Sequence, residues 1–125
     1  MATVITITLR KGGSGKTTTA VNLASSLSKH GKRVLLIDLD PQANATASLG
    51  LDTQNLPNIT DVLQGVHPIQ HTINDPLKGF DLIPSNQILA QIEATLATDP
   101  AKYATIIKDL ISPLLPRYDY ILIDT

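Results

Sequence analysis

A run of β-branched residues, Thr3 to Leu9 (TVITITL), breaks directly into Lys11-Gly12-Gly13-Ser14-Gly15-Lys16-Thr17-Thr18, and a helical pattern follows at once. No other feature constrains the chain so tightly. The first run reads as a buried strand. Glycines at 12, 13 and 15 let the backbone curl with positive φ and no Cβ, so successive N–H groups can point inward at one spot. The helix expected from Lys16 to His30 carries an apolar stripe at Ala20, Leu23, Ala24 and Leu27 and sets its positive dipole end beneath that spot. A strand, a curled loop and a helix N-terminus in that order form a cradle for a densely anionic ligand, a nucleoside triphosphate with its Mg²⁺. The backbone from Lys11 to Thr18, Gly12, Gly13, Ser14 and Gly15 included, surrounds the phosphates. Lys16 reaches the β- and γ-phosphates, and the Thr17 hydroxyl ligates Mg²⁺. Lys11 alone is a solvated loop cation, but its neighbours place it for phosphate contact.

The common phosphate-loop pattern, G-x-x-x-x-G-K-[ST], fails here because its first glycine falls on Arg10. The strand, the Gly-Lys-Thr core and the helix survive that failure. A dinucleotide fingerprint, G-x-G-x-x-G, requires glycine where Thr18 stands, although Asp38 lies near the place of a ribose-binding acid. A glycine-rich turn that binds nothing has no use for Gly-Lys-Thr at this junction.

Beyond the loop, the chain alternates. Lys29 and His30 suit a helix C-terminus, with Gly31 as the residue after it. Arg33 to Ile37 (RVLLI) is a second buried strand running into Asp38-Leu39-Asp40-Pro41. Gln42 to Leu56 reads as loop with a helical turn near Ala47, and Ile59 to Leu63 as a short helix started by Asn58 or Thr60. Phe80 to Pro84 is a strand. Asn86 caps a helix with Ile88, Leu89, Ile92 and Leu96, Asp99-Pro100 opens another through Tyr103 to Ile111, and Pro113 and Pro116 stop it. Tyr118 to Ile123 is a last strand ending at Asp124. This alternation predicts an α/β fold, a mostly parallel sheet with helices on both faces. Ligands of such sheets sit beyond the carboxyl ends of the strands, where the glycine loop, the Asp38/Asp40 pair and Asp124 all fall.

Those carboxylates have separable expected roles. Asp40, at the mouth of its loop, orients or activates the water that attacks the γ-phosphate. Asp38 bonds the loop or a metal-bound water. Asp124 holds Mg²⁺ through water, because it ends a buried apolar strand. Without the phosphate loop, the first pair is only a solvated turn before Pro41 and the last a polar strand end. Gln42 and Asn44 belong to the same loop.

These residues carry a resemblance. K-G-G-x-G-K-T-T is similar to the deviant Walker A motif of the ParA/MinD family of P-loop ATPases, D-L-D-P-Q-A-N-A-T (Asp38 to Thr46) resembles its ParA branch, and Y-D-Y-I-L-I-D-T resembles its Walker B strand. The resemblance covers essentially the whole chain. It departs at Arg10, where the family has Gln, and lacks the prolines that follow Walker B. It implies a P-loop NTPase fold and an ATPase that uses ATP and Mg²⁺. It also implies a homodimer with ATP sandwiched at its interface, where Lys11 of each subunit contacts the other's nucleotide. The partners it implies are nonspecific DNA, bound through regions downstream, and a ParB-like centromere-binding activator of hydrolysis. The setting is cytoplasmic, on the nucleoid when ATP is bound, for partition of DNA or cargo. Residues 1–125 are then the N-terminal portion of the family's nucleotide-binding domain, cut after Walker B, with the adenine pocket and basic surface downstream. A nucleotide-binding fragment without turnover is the plainer alternative.

Composition closes other routes. The net charge of −1 gives no electrostatic footprint for nucleic acid in this portion. The absence of cysteine removes thiolate metal sites, disulfides and the cluster ligands of an iron-protein reductase. No apolar run approaches the ~18 residues of a membrane span, the N-terminus lacks the order of a secretory signal, and a MinD-like membrane role needs an amphipathic C-terminal helix that is absent from these residues. His30, His67 and His71 are too scattered for a metal site.

Overall fold

The structure, a computed structural model, describes residues 2–8, 14–52, 54–75 and 79–125, with only the backbone of Ser14. Four strands, β1 (Thr3–Ile7), β2 (Val34–Asp38), β3 (Asp81–Ile83) and β4 (Tyr120–Asp124), form one sheet in the order β1-β4-β2-β3. Every pairing is parallel. The last strand in sequence is therefore inserted between the first two, and all four carboxyl ends lie along one edge.

Among the described residues five α-helices cover the sheet: α1 (Ser14–Lys29), α2 (Asn44–Ser48), α3 (Ile59–Leu63), α4 (Leu89–Leu96) and α5 (Pro100–Ile111). Alternation along the strands sorts the core into two layers, since successive side chains point to opposite faces. Leu35, Ile37, Ile121 and Ile123 join Ile59, Leu89, Ile107 and Ile111 from α3, α4 and α5. Val34, Leu36, Leu82 and Leu122 join Ala20, Ala24 and Ala45 from α1 and α2. The wholly buried β2 is a continuous apolar run because both its faces are covered. Each buried Leu or Ile contributes roughly 2 kcal/mol through the area it removes from water. Ala20 and Ala24, both at 0% exposure, bring α1 close to the sheet behind the loop.

Local signals set the element ends. Gly31, with φ 79°, takes the left-handed position after α1, where its N–H donates to the Ser28 carbonyl and that of Lys32 to the Leu27 carbonyl. Asn58 and Asp61 cap α3 reciprocally, and the Asp99 carboxylate accepts the Lys102 N–H ahead of Pro100.

Three expectations shift. The expected buried first strand is largely exposed at Thr3, Val4 and Thr6, because it forms the sheet edge and has one strand neighbour. α1 begins at Ser14 rather than Lys16, so Gly15 is a first-turn helical residue and not a positive-φ one. A 3₁₀ turn, Ser112–Arg117, carries the chain from α5 towards β4 where the prolines were expected to stop it.

Gly31→Ala tests the cap, because no atom lies within 4 Å of an added Cβ and only the backbone conformation resists it. The variant is expected to lose about 1 kcal/mol in urea unfolding, and an unchanged midpoint would refute that account of the α1 terminus.

Candidate functional site

At the carboxyl edge of the sheet, Asp38 and Asp124 are register partners on neighbouring strands. Both carboxylates are fully buried. The strand ends are laced together further on, Leu39 N–H donating to the Asp124 carbonyl at 2.8 Å and Thr125 N–H to the Ile7 carbonyl at 3.2 Å. The first turn of α1 lies directly over this edge. Its Thr17 hydroxyl donates to Asp124 Oδ2 at 3.2 Å, although the two residues are 107 apart in sequence.

Lys16 occupies the centre. Its ammonium is 2.5 Å from Asp40 Oδ2 and 3.1 Å from Asp124 Oδ1, and it also donates to the Thr125 carbonyl. Its side chain is only 4% exposed. Burial pulls the Lys16 pKa down, but hydrogen bonds and charge from Asp40 and Asp124 outweigh it and the net shift is upward. Burial likewise pushes Asp40 up, yet the Lys16 hydrogen bond, the Gln42 N–H and the lysine's charge hold it below the usual carboxylate range. One positive charge is thus shared between two carboxylates.

Buried Asp124 Oδ1 has the Lys16 ammonium at 3.1 Å and no further partner among the described residues. A buried carboxylate beside a threonine hydroxyl fits a hard divalent cation that takes its remaining ligands from water and phosphate. Among the described residues no group of three or more His, Asp or Glu side chains could cage a metal unaided. Thr17 and Asp124 therefore fit Mg²⁺ as it is held together with phosphates.

Asp38 is committed differently. Oδ2 accepts the N–H and the hydroxyl of Thr46 at 3.0 and 2.6 Å, and Oδ1 accepts the Asp40 N–H at 3.2 Å. Burial raises its pKa to about 6, with the Asp124 charge adding to burial against the Thr46 and Asp40 hydrogen bonds. Both oxygens serve the loop, the first of the two roles expected for it. That loop is strained at Ala43, whose φ of 54° is the sole positive value for a non-glycine among the described residues. Such a conformation costs about 1–2 kcal/mol.

The structure thus brings together Lys16, Thr17, Asp38, Asp40 and Asp124. Gly15 and the exposed Thr18 lie in the first turns of α1, with Ser14 at its start. Lys11, Gly12 and Gly13, with Arg10, lie outside the described residues. Gln42 joins through its N–H, which Asp40 Oδ1 accepts at 3.0 Å. Sequence reasoning passed over Thr46, Ser85 and Glu93. Thr46 lay inside the quoted Asp38–Thr46 run, and Ser85 follows a strand of the same parallel sheet, so the strand-end rule could have found it. Glu93, half-buried on α4, has its pKa raised by burial and then by the charge of Asp40.

Comparison with known proteins follows the same lines. A family model for the AAA domain matches residues 2–125. The chromosome partitioning protein ParA of Myxococcus xanthus is 38% identical over 123 residues, covering 97% of this chain and 43% of that protein. Cobyrinic acid a,c-diamide synthase from Mycobacterium smegmatis, solved with ADP and magnesium, superposes with a TM-score of 0.88 at 36% identity, covering 99% of this chain and 51% of that one. An ATP complex of substituted McdA from Cyanothece gives 0.87 at 30% identity, covering 99% and 48%. The chain spans about half the length of the curated relatives it matches. No described helix is long and apolar enough to cross a membrane.

Lys16→Ala leaves Asp40 and buried Asp124 without their cation. Urea unfolding is expected to show a loss of about 3 kcal/mol, and an unaltered stability would show that these carboxylates do not depend on it.

Proposed function

This chain belongs to the AAA-domain family, alongside ParA-type P-loop ATPases, and from that premise we propose that it is the nucleotide-binding N-terminal portion of an ATP-driven switch that partitions DNA or another cargo. The observation that carries this reading is the convergence of Lys16, Thr17, Asp40 and Asp124 at one strand edge, with Lys16 shared between two carboxylates. A lysine held by two anions is ready to be exchanged onto a third, the phosphates of ATP. The exchange keeps its charge compensated throughout.

In this mechanism the N–H groups of the loop from Lys11 to Thr18 hold the phosphates, and Lys16 turns from Asp40 to the β- and γ-oxygens. Asp40, relieved of its ion pair, orients the attacking water in line with the leaving group. Thr17, through its hydroxyl, and Asp124, through water, would hold Mg²⁺. When bound, the metal neutralises charge on the phosphate oxygens as the terminal bond loosens. Asp38 holds the loop that carries Asp40 and stays next to the metal site.

Lys11 is assigned to a partner's nucleotide, because Lys16 already serves its own. ATP then closes a homodimer, and loss of the γ-phosphate contacts reopens it. DNA binds nonspecifically to the ATP-closed form through residues beyond Thr125, and a ParB-like centromere-bound protein stimulates hydrolysis. The protein works in the cytoplasm, on the nucleoid in its ATP state.

In the full-length protein, Asp40→Ala is expected to bind ATP normally while kcat falls at least about 100-fold. Retained turnover would remove Asp40 from the chemistry. Lys11→Ala is expected to bind ATP yet remain monomeric in sedimentation, and ATP-dependent dimerisation of that variant would refute the sandwich.

A further inference from the structure

Four buried or half-buried residues close a ring of hydrogen bonds between the loops that follow β2 and β3. The Asp40 N–H donates to Asp38 Oδ1 at 3.2 Å, and the Thr46 hydroxyl donates to Asp38 Oδ2 at 2.6 Å. The Ser85 N–H donates to Thr46 Oγ1 at 3.0 Å, and the Ser85 hydroxyl donates to the Asp40 carbonyl at 3.1 Å. Asp38, Thr46 and Ser85 are all at 0% exposure. The directions are mutually consistent. Thr46 has one hydroxyl hydrogen, which the carboxylate takes, leaving its lone pairs for the Ser85 N–H.

The ring holds Asp40 on both sides of its Cα, the N–H through Asp38 and the carbonyl through Ser85, which shares that carbonyl with the Ala43 N–H at 2.9 Å. The carboxylate itself remains free of the ring and faces Lys16. A loop braced only for stability has no need to grip one residue from both sides, and this loop is gripped while Ala43 is strained. A water-orienting carboxylate does need it, because displacement by about 1 Å can cost on the order of 100-fold in rate.

We infer that Thr46 and Ser85 are positioning residues, which set the place of the Asp40 carboxylate by bridging Asp38 to the Asp40 backbone. The inference rests on the role of Asp40 proposed above. The two residues act through Asp40, and their loss alters turnover rather than binding.

Thr46→Val keeps shape and removes the hydroxyl, so Asp38 loses its shortest hydrogen bond and the buried Ser85 N–H loses its acceptor. Thr46→Ser restores both. Ser85→Ala breaks the arm to the Asp40 carbonyl, together with a longer contact to the Asn86 carbonyl at 3.5 Å, leaves no buried donor unpaired, and stands in should Thr46→Val fail to fold. In the full-length protein, Thr46→Val is expected to lower kcat about 10- to 100-fold, with KM for ATP within about twofold. Thr46→Ser should recover most of the rate, and Ser85→Ala should show a smaller loss of the same kind. In an Asp40→Ala background, Thr46→Val and Ser85→Ala should change kcat no further. Hydrogen exchange supplies a readout independent of turnover, with the Ser85 amide losing protection in Thr46→Val and regaining it in Thr46→Ser.

Wild-type kcat in Thr46→Val or Ser85→Ala, with Asp40→Ala inactive, would overturn the bridge and leave the role of Asp40 standing. A loss that appears in KM, or that adds in full to Asp40→Ala, would reduce the ring to a structural brace. Full turnover in Asp40→Ala would instead overturn the reading of Asp40 itself.

Discussion

Two buried carboxylates end adjacent strands in the same register, and the carboxyl edge of the molecule is organised around keeping them there. Asp38 and Asp124 sit side by side on β2 and β4 with no access to water. An unpaired buried charge costs several kcal/mol, so each must be compensated from elsewhere in the chain. The two are treated in opposite ways. Asp38 receives three neutral donors from its own loop and becomes part of the backbone scaffold. Asp124 receives one hydroxyl at Oδ2 and the Lys16 ammonium at Oδ1. The first is held by neutral donors alone, the second by a cation that it shares with Asp40.

Lys16 connects these local solutions to the charge state of the site. It is delivered by the first turn of α1, which lies close to the sheet because Ala20 and Ala24 present almost no side chain. It draws Asp40 and Asp124 together, so the stability of this edge rests on the same lysine that the proposed function turns towards phosphate.

Much of this was legible from residue order. The first strand and the helix that follows it, Gly31 after α1, Asn58 ahead of α3 and Pro100 at the start of α5 are all local signals, read within a few residues. Strand ends marked Asp38, Asp40 and Asp124, because polar residues that close apolar runs in an alternating α/β pattern fall at the ligand edge. Thr46 and Ser85 escaped notice for a physical reason. Small hydroxyl residues are common in loops, and their value here comes from a bond between two loops 39 residues apart. The exposure of β1 was equally hidden, since TVITI has the composition of a covered strand and only its place at the sheet edge leaves it open.

By itself, the order of residues determined the kind of unit this is. Periodicity and punctuation dictate strand, loop and helix, and a Gly-Lys-Thr at the first junction dictates an anion cradle, because those depend on neighbours along the chain. The tertiary structure decided which strand lies beside which. Insertion of β4 between β1 and β2 sets Asp124 against Asp38 and brings Thr17 to its carboxylate. It also decided which carboxylate is enclosed by hydrogen bonds and which stays open to a cation, because burial, charge compensation and bond direction are properties of groups that meet only after folding.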